Sequence, residues 1–259
     1  MSHHHETFPV PKTWQNKAHI DQQKYVEMYS QSIEDPEMFW AEQANILDWY
    51  EPWRQIKAVS FKKPVDIRWF IDGKLNVCFN CVDRHLKDKA NTVAFIWEPE
   101  NENEKSLKIT YQDLHRKVSK WANALKKYGV KKGDRVTLYL PMIPEAVYSM
   151  LACARIGAIH SVVFAGFSPD SLADRIRDCD SAFVITANEG WRGGKTLRLK
   201  DNVDKAAQSC PGLKKVFVVQ RTQGEVQWNP KLDVWYHEAV KEVSDENKCE
   251  VMDAEDPLF

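Results

Sequence analysis

The sequence has no surplus of charge of either sign. Its 36 lysines and arginines meet 37 aspartates and glutamates, a formal net charge of −1. A nucleic-acid binder normally carries a basic excess, so that class is set aside. Basic tracts such as LKKYGVKKGD read as solvated ends of elements. No secretory signal is visible either: MSHHHETFPVPKTW has no apolar core of that kind. His3, His4 and His5 within it are left out of site reasoning. The longest apolar tract, AVYSMLACARIGAIHSVVFAGF, holds Arg155 and His160 and is broken at Gly157. It reads as a buried helix followed by a buried strand, not as a membrane span. With no such signal visible, the six cysteines read as reduced thiols of a cytoplasmic protein. Cys78 and Cys81 form a lone CxxC with His85 four residues on. No second pair completes a zinc set, and both thiols are expected to be buried and structural.

The usual phosphate-binding motifs are also wanting. A P-loop needs four residues between its glycines, and Gly190 and Gly194 enclose three. A dinucleotide fingerprint needs GxGxxG after the first parallel strand, and YLPMIPEA has no glycine.

What is present suits a soluble globular chain of one large domain or two small ones: 259 residues, 43% hydrophobic and 28% charged. Residues 1–90 read as a helical and irregular extension, and 91–259 as the first α/β portion of a larger domain. In the extension, Tyr25, Met28 and Tyr29 have helical spacing, and Asp35-Pro36 opens a second helix. Trp40, Trp49, Tyr50, Trp53 and Trp69 read as packing anchors. RWFIDGKLNV is expected to be a hairpin turning at Asp72-Gly73, and TVAFIWE with LKITY a second one. Thr110 then caps a helix whose apolar face is Leu114, Val118, Trp121, Ala122 and Leu125, closed by Gly129.

Four apolar runs follow, RVTLYL (135–140), AIHSVVF (158–164), AFVIT (182–186) and KVFVV (215–219). Helices between them start at Pro144, at Ser168-Pro169 and near Asp201. Continuous apolar strands joined by helices predict an α/β fold, a parallel sheet with helices on both faces. LDVWYHEAVKEV is expected to be a last helix, and PLF after the acidic turn DAED a strand about to begin. Ligands of such sheets lie beyond the carboxyl ends of the strands. FAGFS, after the second strand, and NEGWRGGKTLRLK, after the third, lie there. In the latter, Arg192 and Lys195 flank Gly193-Gly194, a pattern that suits close approach to a nucleotide phosphate. A solvated basic turn accounts for the same residues.

YSQSIEDPEMFWAEQANILDWYEPW, GKLNVCFNCVDRH, LPMIPEAVYSMLACARIGAIHSVVFAGFSPDSLADRI and NEGWRGGKTLRLKDNVDKA occur in order, from about residue 20 to the last. In these blocks the chain resembles the AMP-forming acetyl-CoA synthetases, with their propionyl relatives, more than the wider adenylate-forming superfamily. The resemblance implies a two-step ligase reaction. Acetate and ATP, with Mg²⁺, give acetyl-AMP and pyrophosphate, and the thiol of CoA then displaces AMP. It implies that Arg192, Gly193, Gly194 and Lys195 hold the nucleotide end of CoA, 3′-phosphate included, with Phe164 and Gly166 beside them. Family members often have Gly where this chain has Ala165, and some have Arg at Lys195; the second exchange loses a bidentate fork.

The ATP, Mg²⁺ and acetate sites and the catalytic lysine of the family have no matching positions here. No catalytic residue or metal ligand is therefore nominated, and the chain is expected to be an N-terminal part, inactive alone, partnered by the missing C-terminal part of the same enzyme. Nucleic acid and membrane are not expected partners. A non-catalytic CoA- or protein-binding module, a propionyl-CoA synthetase and an interaction piece with an open sheet edge stand as alternatives.

Overall fold

Three of the four apolar runs are buried nearly end to end, because both of their faces are covered. A computed structural model describes residues 7–259, so the reading of His3 to His5 lies outside the described residues. The strands Arg135–Tyr139, Phe183–Ala187 and Lys215–Val219 form the middle of a five-stranded sheet. The fourth run supplies Ile159–Val162 at one edge, where Val162 is exposed. The order is Asp233–Trp235, Lys215–Val219, Phe183–Ala187, Arg135–Tyr139, Ile159–Val162, and every neighbouring pair is parallel.

Alternate residues of the central strands serve two cores. Phe183, Ile185 and Phe217 pack with the helices Tyr111–Lys127 and Pro144–Ile156. Val184, Val216 and Val218 pack with Pro169–Asp178 and Leu199–Ala207. The fold is thus α/β with helices on both faces of a parallel sheet. The helix starts follow local chemistry. Thr110 Oγ1 accepts from the Asp113 amide at 3.1 Å, and Ser168 Oγ accepts from the Ser171 amide at 3.3 Å. Pro144 and Pro169 take first-turn positions, where no amide is needed.

Contacts divide the chain into two units, one running to Leu47 together with Arg54–Ile71, the other formed by Asp48–Trp53 with Asp72–Phe259. In the first, helices Gln22–Glu34 and Pro36–Ala44 meet at Asp35, whose carboxylate accepts from the Met38 amide at 3.0 Å. Trp40 packs edge-on to Trp69 with ring centres 5.8 Å apart. In the second, the antiparallel pair Val93–Trp97 and Leu107–Thr110 leads into the sheet. No helix among the described residues is long and apolar enough to cross a membrane.

Several expectations need correcting. The segment read as a last helix begins with the fifth strand, Asp233–Trp235, and only Tyr236–Ala239 is helical. RWFIDGKLNV does turn at Asp72, whose φ is +67°, but its arms do not make a hairpin. Asp66–Ile71 pairs with Gln55–Ser60, and Lys74–Leu75 pairs with Met252–Asp253. Cys78 is buried as expected, whereas Cys81 is exposed on the same short helix, Val77–Cys81. The helix placed near Asp201 starts at Leu199. After the acidic turn, Pro257-Leu258-Phe259 forms no regular strand, although the Leu258 carbonyl accepts from the His160 amide at 3.4 Å.

His160 carries a pH dependence. Its ring is buried against Phe259, its Nδ1 has no hydrogen-bond partner, and burial holds its pKa below the ordinary 6.5. The unfolded chain therefore binds a proton before the folded chain does. The stability of the neutral ring is complete above 6.5 and is lost as pH falls from there to the lower folded value. Denaturation midpoints taken from about pH 7.5 to about pH 5 should fall, and His160→Gln should flatten the slope. Equal slopes in the two proteins would remove His160 as its source.

Candidate functional site

The loop between the third strand and its helix is a small antiparallel ribbon, Gly190–Arg192 paired with Lys195–Leu197. Arg192 and Lys195 are direct partners, so the hairpin loop is the two glycines alone. Their φ values, +57° and +71°, are those of a type I′ turn, which matches the twist of a tight hairpin and disfavours side chains. A Cβ at either would meet nothing within 4 Å. The glycines are thus required by backbone direction, not by close approach of another group.

Gly166 is different. A Cβ there would lie 2.5 Å from Phe164 Cε1 and 3.2 Å from an Arg192 guanidinium nitrogen. The bare backbone leaves room for Arg192 to lie on the Phe164 ring, 4.6 Å from guanidinium carbon to ring centre. FAGFS is itself held from below. Tyr139, at the end of the strand Arg135–Tyr139, has its hydroxyl 3.0 Å from the Ala165 carbonyl and 2.8 Å from that of Phe167, and it accepts from Asn202 Nδ2 at 3.1 Å. Burial raises the Tyr139 pKa, against the Asn202 bond, which keeps the hydroxyl a donor.

These residues open on a cleft of about 480 Å³ at the carboxyl end of the sheet, with Trp97, Pro141, Phe164, Trp191, Arg192 and Arg221 in its wall. The first strand lies between the second and third, so the chain reverses its winding beside Arg135–Tyr139, where such sheets accept ligands. Arg221 lies 5.3 Å from the Trp97 ring centre and pairs with Glu104 at 2.6 Å. Asn188, buried at the end of the third strand, fixes the Arg221 loop through its side chain: Oδ1 accepts from the amides of Arg221 and Thr222, and Nδ2 donates to the carbonyls of Thr222 and Gly224. The wall is mostly apolar, with Glu98 and Glu100 and the guanidinium groups of Arg192 and Arg221; since Arg221 is paired with Glu104, Arg192 is the group placed to receive the anionic end of a ring-bearing ligand.

Of the residues singled out from sequence, Phe164 and Arg192 line this cleft, with Gly166 packed against both. Gly193, Gly194 and Lys195 sit at the exposed ribbon tip, with Lys195 outside the cleft wall. The Gly194 amide donates to Glu100 Oε1 at 3.1 Å, a carboxylate standing where an anionic ligand's oxygen would be received. Trp97, Glu100 and Arg221 were missed. Arg221 had a usable signal, since it follows the fourth strand directly; Trp97 and Glu100 come from the antiparallel pair ahead of the sheet and had none.

Known proteins resemble this chain over nearly its whole length. The family model described as AMP-binding enzyme matches residues 82–259, and the one described as acetyl-coenzyme A synthetase N-terminus matches 25–81. Acetyl-coenzyme A synthetase of Bdellovibrio bacteriovorus is 56% identical over 256 residues, covering 99% of this chain and 40% of that protein. The protein of that name from Bradyrhizobium diazoefficiens is 57% identical over 253 residues, with 97% and 39% covered. Acetyl-coenzyme A synthetase 2 of Pseudomonas aeruginosa is 52% identical, with the same coverage, 97% and 39%. The chain thus spans about 40% of the length of the curated relatives it matches. Acetoacetyl-CoA synthetase from Streptomyces lividans superposes with a TM-score of 0.81 at 23% identity, over 95% of this chain and 37% of that one, which is a likeness of fold.

Proposed function

Because the chain belongs to the AMP-binding enzyme family, with an acetyl-coenzyme A synthetase N-terminal segment ahead of that region, we propose that it supplies the coenzyme A nucleotide site of a cytoplasmic AMP-forming acetate–CoA ligase. The ligase would activate acetate with ATP to acetyl-AMP and transfer the acetyl group to CoA. ATP and Mg²⁺ are assigned to residues outside this span, which is inactive by itself; propionate in place of acetate is equally compatible.

One observation carries the reading. Arg192 lies on Phe164 over the bare Gly166, at the rim of a cleft on the ligand-binding end of the sheet. The Arg192 fork would take the 3′-phosphate, with Lys195 adding charge from the opposite side of the turn. Gly193 and Gly194 hold the two cations in register, and Phe164 and Gly166 shape the seat. The Glu100 carboxylate at the Gly194 amide must be displaced if phosphate is to use that amide as well.

Calorimetric titration of the chain with CoA and with dephospho-CoA tests this. CoA should bind more tightly, and Arg192→Ala should cost about 1–3 kcal/mol for CoA and little for dephospho-CoA. Equal affinity for both forms in the unaltered chain would remove Arg192 and Lys195 from this role.

A further inference from the structure

The CxxC of the sequence is split by its helix, and the thiol beside Cys78 is not Cys81 but Cys249, far along the chain. The sulfurs of Cys78 and Cys249 and a carboxylate oxygen of Asp83 all lie within 4.8 Å of one another. Both sulfurs are buried, Cys78 completely and Cys249 with 5% of its surface exposed.

Arg155 organises the group. Its Nη1 lies 3.5 Å from Cys78 Sγ and donates to Asp83 Oδ2 at 2.7 Å; its Nη2 donates to Asp83 Oδ1 at 2.9 Å. Its Nε donates to the Asn247 carbonyl at 2.9 Å, which holds the segment carrying Cys249 against the helix of Cys78. His115 Nε2 approaches Asp83 Oδ1 at 3.4 Å. Burial pushes the Asp83 pKa up, but hydrogen bonds from His115 and Arg155 and the Arg155 charge outweigh it and keep a carboxylate there. A guanidinium already neutralises that carboxylate, which disfavours a metal cation beside the sulfurs and leaves thiol chemistry. Cys249 Sγ donates to Asp83 Oδ2 at 3.8 Å. The neighbouring Cys249 and the Arg155 charge act to lower the Cys78 pKa against burial, while the neighbouring Cys78 and burial raise that of Cys249. One sulfur is disposed to be the thiolate, the other the thiol.

From the juxtaposed sulfurs and the guanidinium over Cys78, we propose that Cys78 and Cys249 form a reversible disulfide when the chain meets a hydroperoxide. The Cys78 thiolate attacks one peroxide oxygen; an S–O bond forms, the O–O bond breaks, and hydroxide leaves. That hydroxide takes the Cys249 proton and becomes water. The Cys249 thiolate then attacks the sulfenic sulfur of Cys78; the S–S bond forms, the S–O bond breaks, and the hydroxide that leaves is protonated by solvent. Two electrons pass from the sulfur pair to the peroxide. A thiol reductant reverses the change by exchange.

The experiment is thiol mapping on the intact chain. Reduced protein is treated with increasing hydrogen peroxide, alkylated under denaturing conditions, digested and read by mass spectrometry. A Cys78–Cys249 linked peptide pair should accumulate, free thiols should fall from six to four, and dithiothreitol should restore them. The exposed Cys81 is the control: Cys81→Ser should leave the linkage unchanged. Cys78 and Cys249 still alkylated at peroxide levels that oxidise Cys81, Cys78 carried on to sulfinic acid without linkage, or a linkage through Cys81 would each overturn the proposal.

Discussion

Lys200→Met is expected to lower the unfolding free energy by about 3–5 kcal/mol, the usual cost of leaving one member of a buried ion pair alone. Lys200 is fully buried in the helix Leu199–Ala207, and its Nζ lies 2.9 Å from Asp233 Oδ2, 2.5 Å from Asp204 Oδ1 and 3.2 Å from the Gln227 carbonyl. The Asp233 side chain is buried as well, and the same Oδ2 accepts from the Asn229 amide at 2.7 Å. Burial already raises the Asp204 pKa in spite of Lys200, so removing the lysine leaves two carboxylates without their cation, the buried Asp233 keeping only the Asn229 amide. Denaturant unfolding at neutral pH measures the loss. The double variant Lys200→Met, Asp233→Leu should recover much of it, because both charges leave together. A loss below about 1 kcal/mol in the single variant would mean that water reaches the pair.

Trp121→Ala is expected to cost a comparable amount, about 3–5 kcal/mol, by a different mechanism. Trp121 is wholly buried on the helix Tyr111–Lys127, with ring centres 5.1 Å from Phe217 and 4.7 Å from Tyr236. Its Nε1 donates to Ser149 Oγ at 3.0 Å on the neighbouring helix. Alanine opens a cavity at the junction of two helices and a central strand and leaves Ser149 without that donor. Trp121→Phe refills most of the volume but not the hydrogen bond, so it should cost about 1–2 kcal/mol. Unfolding curves of the two variants separate the packing from the polar contribution; equal losses would place the whole effect on the hydrogen bond.

These two sites bear on what the sequence disclosed. The apolar runs were legible because a strand covered on both faces takes few polar residues, Thr137 and Thr186 being buried exceptions, and the edge run Ile159–Val162 is apolar enough to follow suit. The caps at Asp35, Thr110 and Ser168 were legible because they are satisfied within three residues. Asp233–Trp235 was not: three residues carry no period, and the strand opens with an aspartate that is buried only because Lys200 meets it. Asp72-Gly73 announced a turn, but the strand partners, Gln55–Ser60 and Met252–Asp253, are chosen by long-range packing that a local pattern cannot name. At the candidate site, both loops could be found because they follow strands of the sheet, and Arg192 by its place beside the two glycines; Phe164 and Gly166 within FAGFS came from the family resemblance. Trp97 arrives from outside the sheet, and the partner of Cys78 lies beyond any motif length.

The strand order has one last consequence, for the timing of assembly. The cleft draws its wall from Trp97, Pro141, Phe164, Arg192 and Arg221, segments brought side by side only when the parallel crossovers around Arg135–Tyr139 have closed. Closures between such distant segments are slow steps in chain collapse. The cleft is therefore expected to be complete only in chains whose sheet has closed, so that capture of a ligand there would report on finished topology.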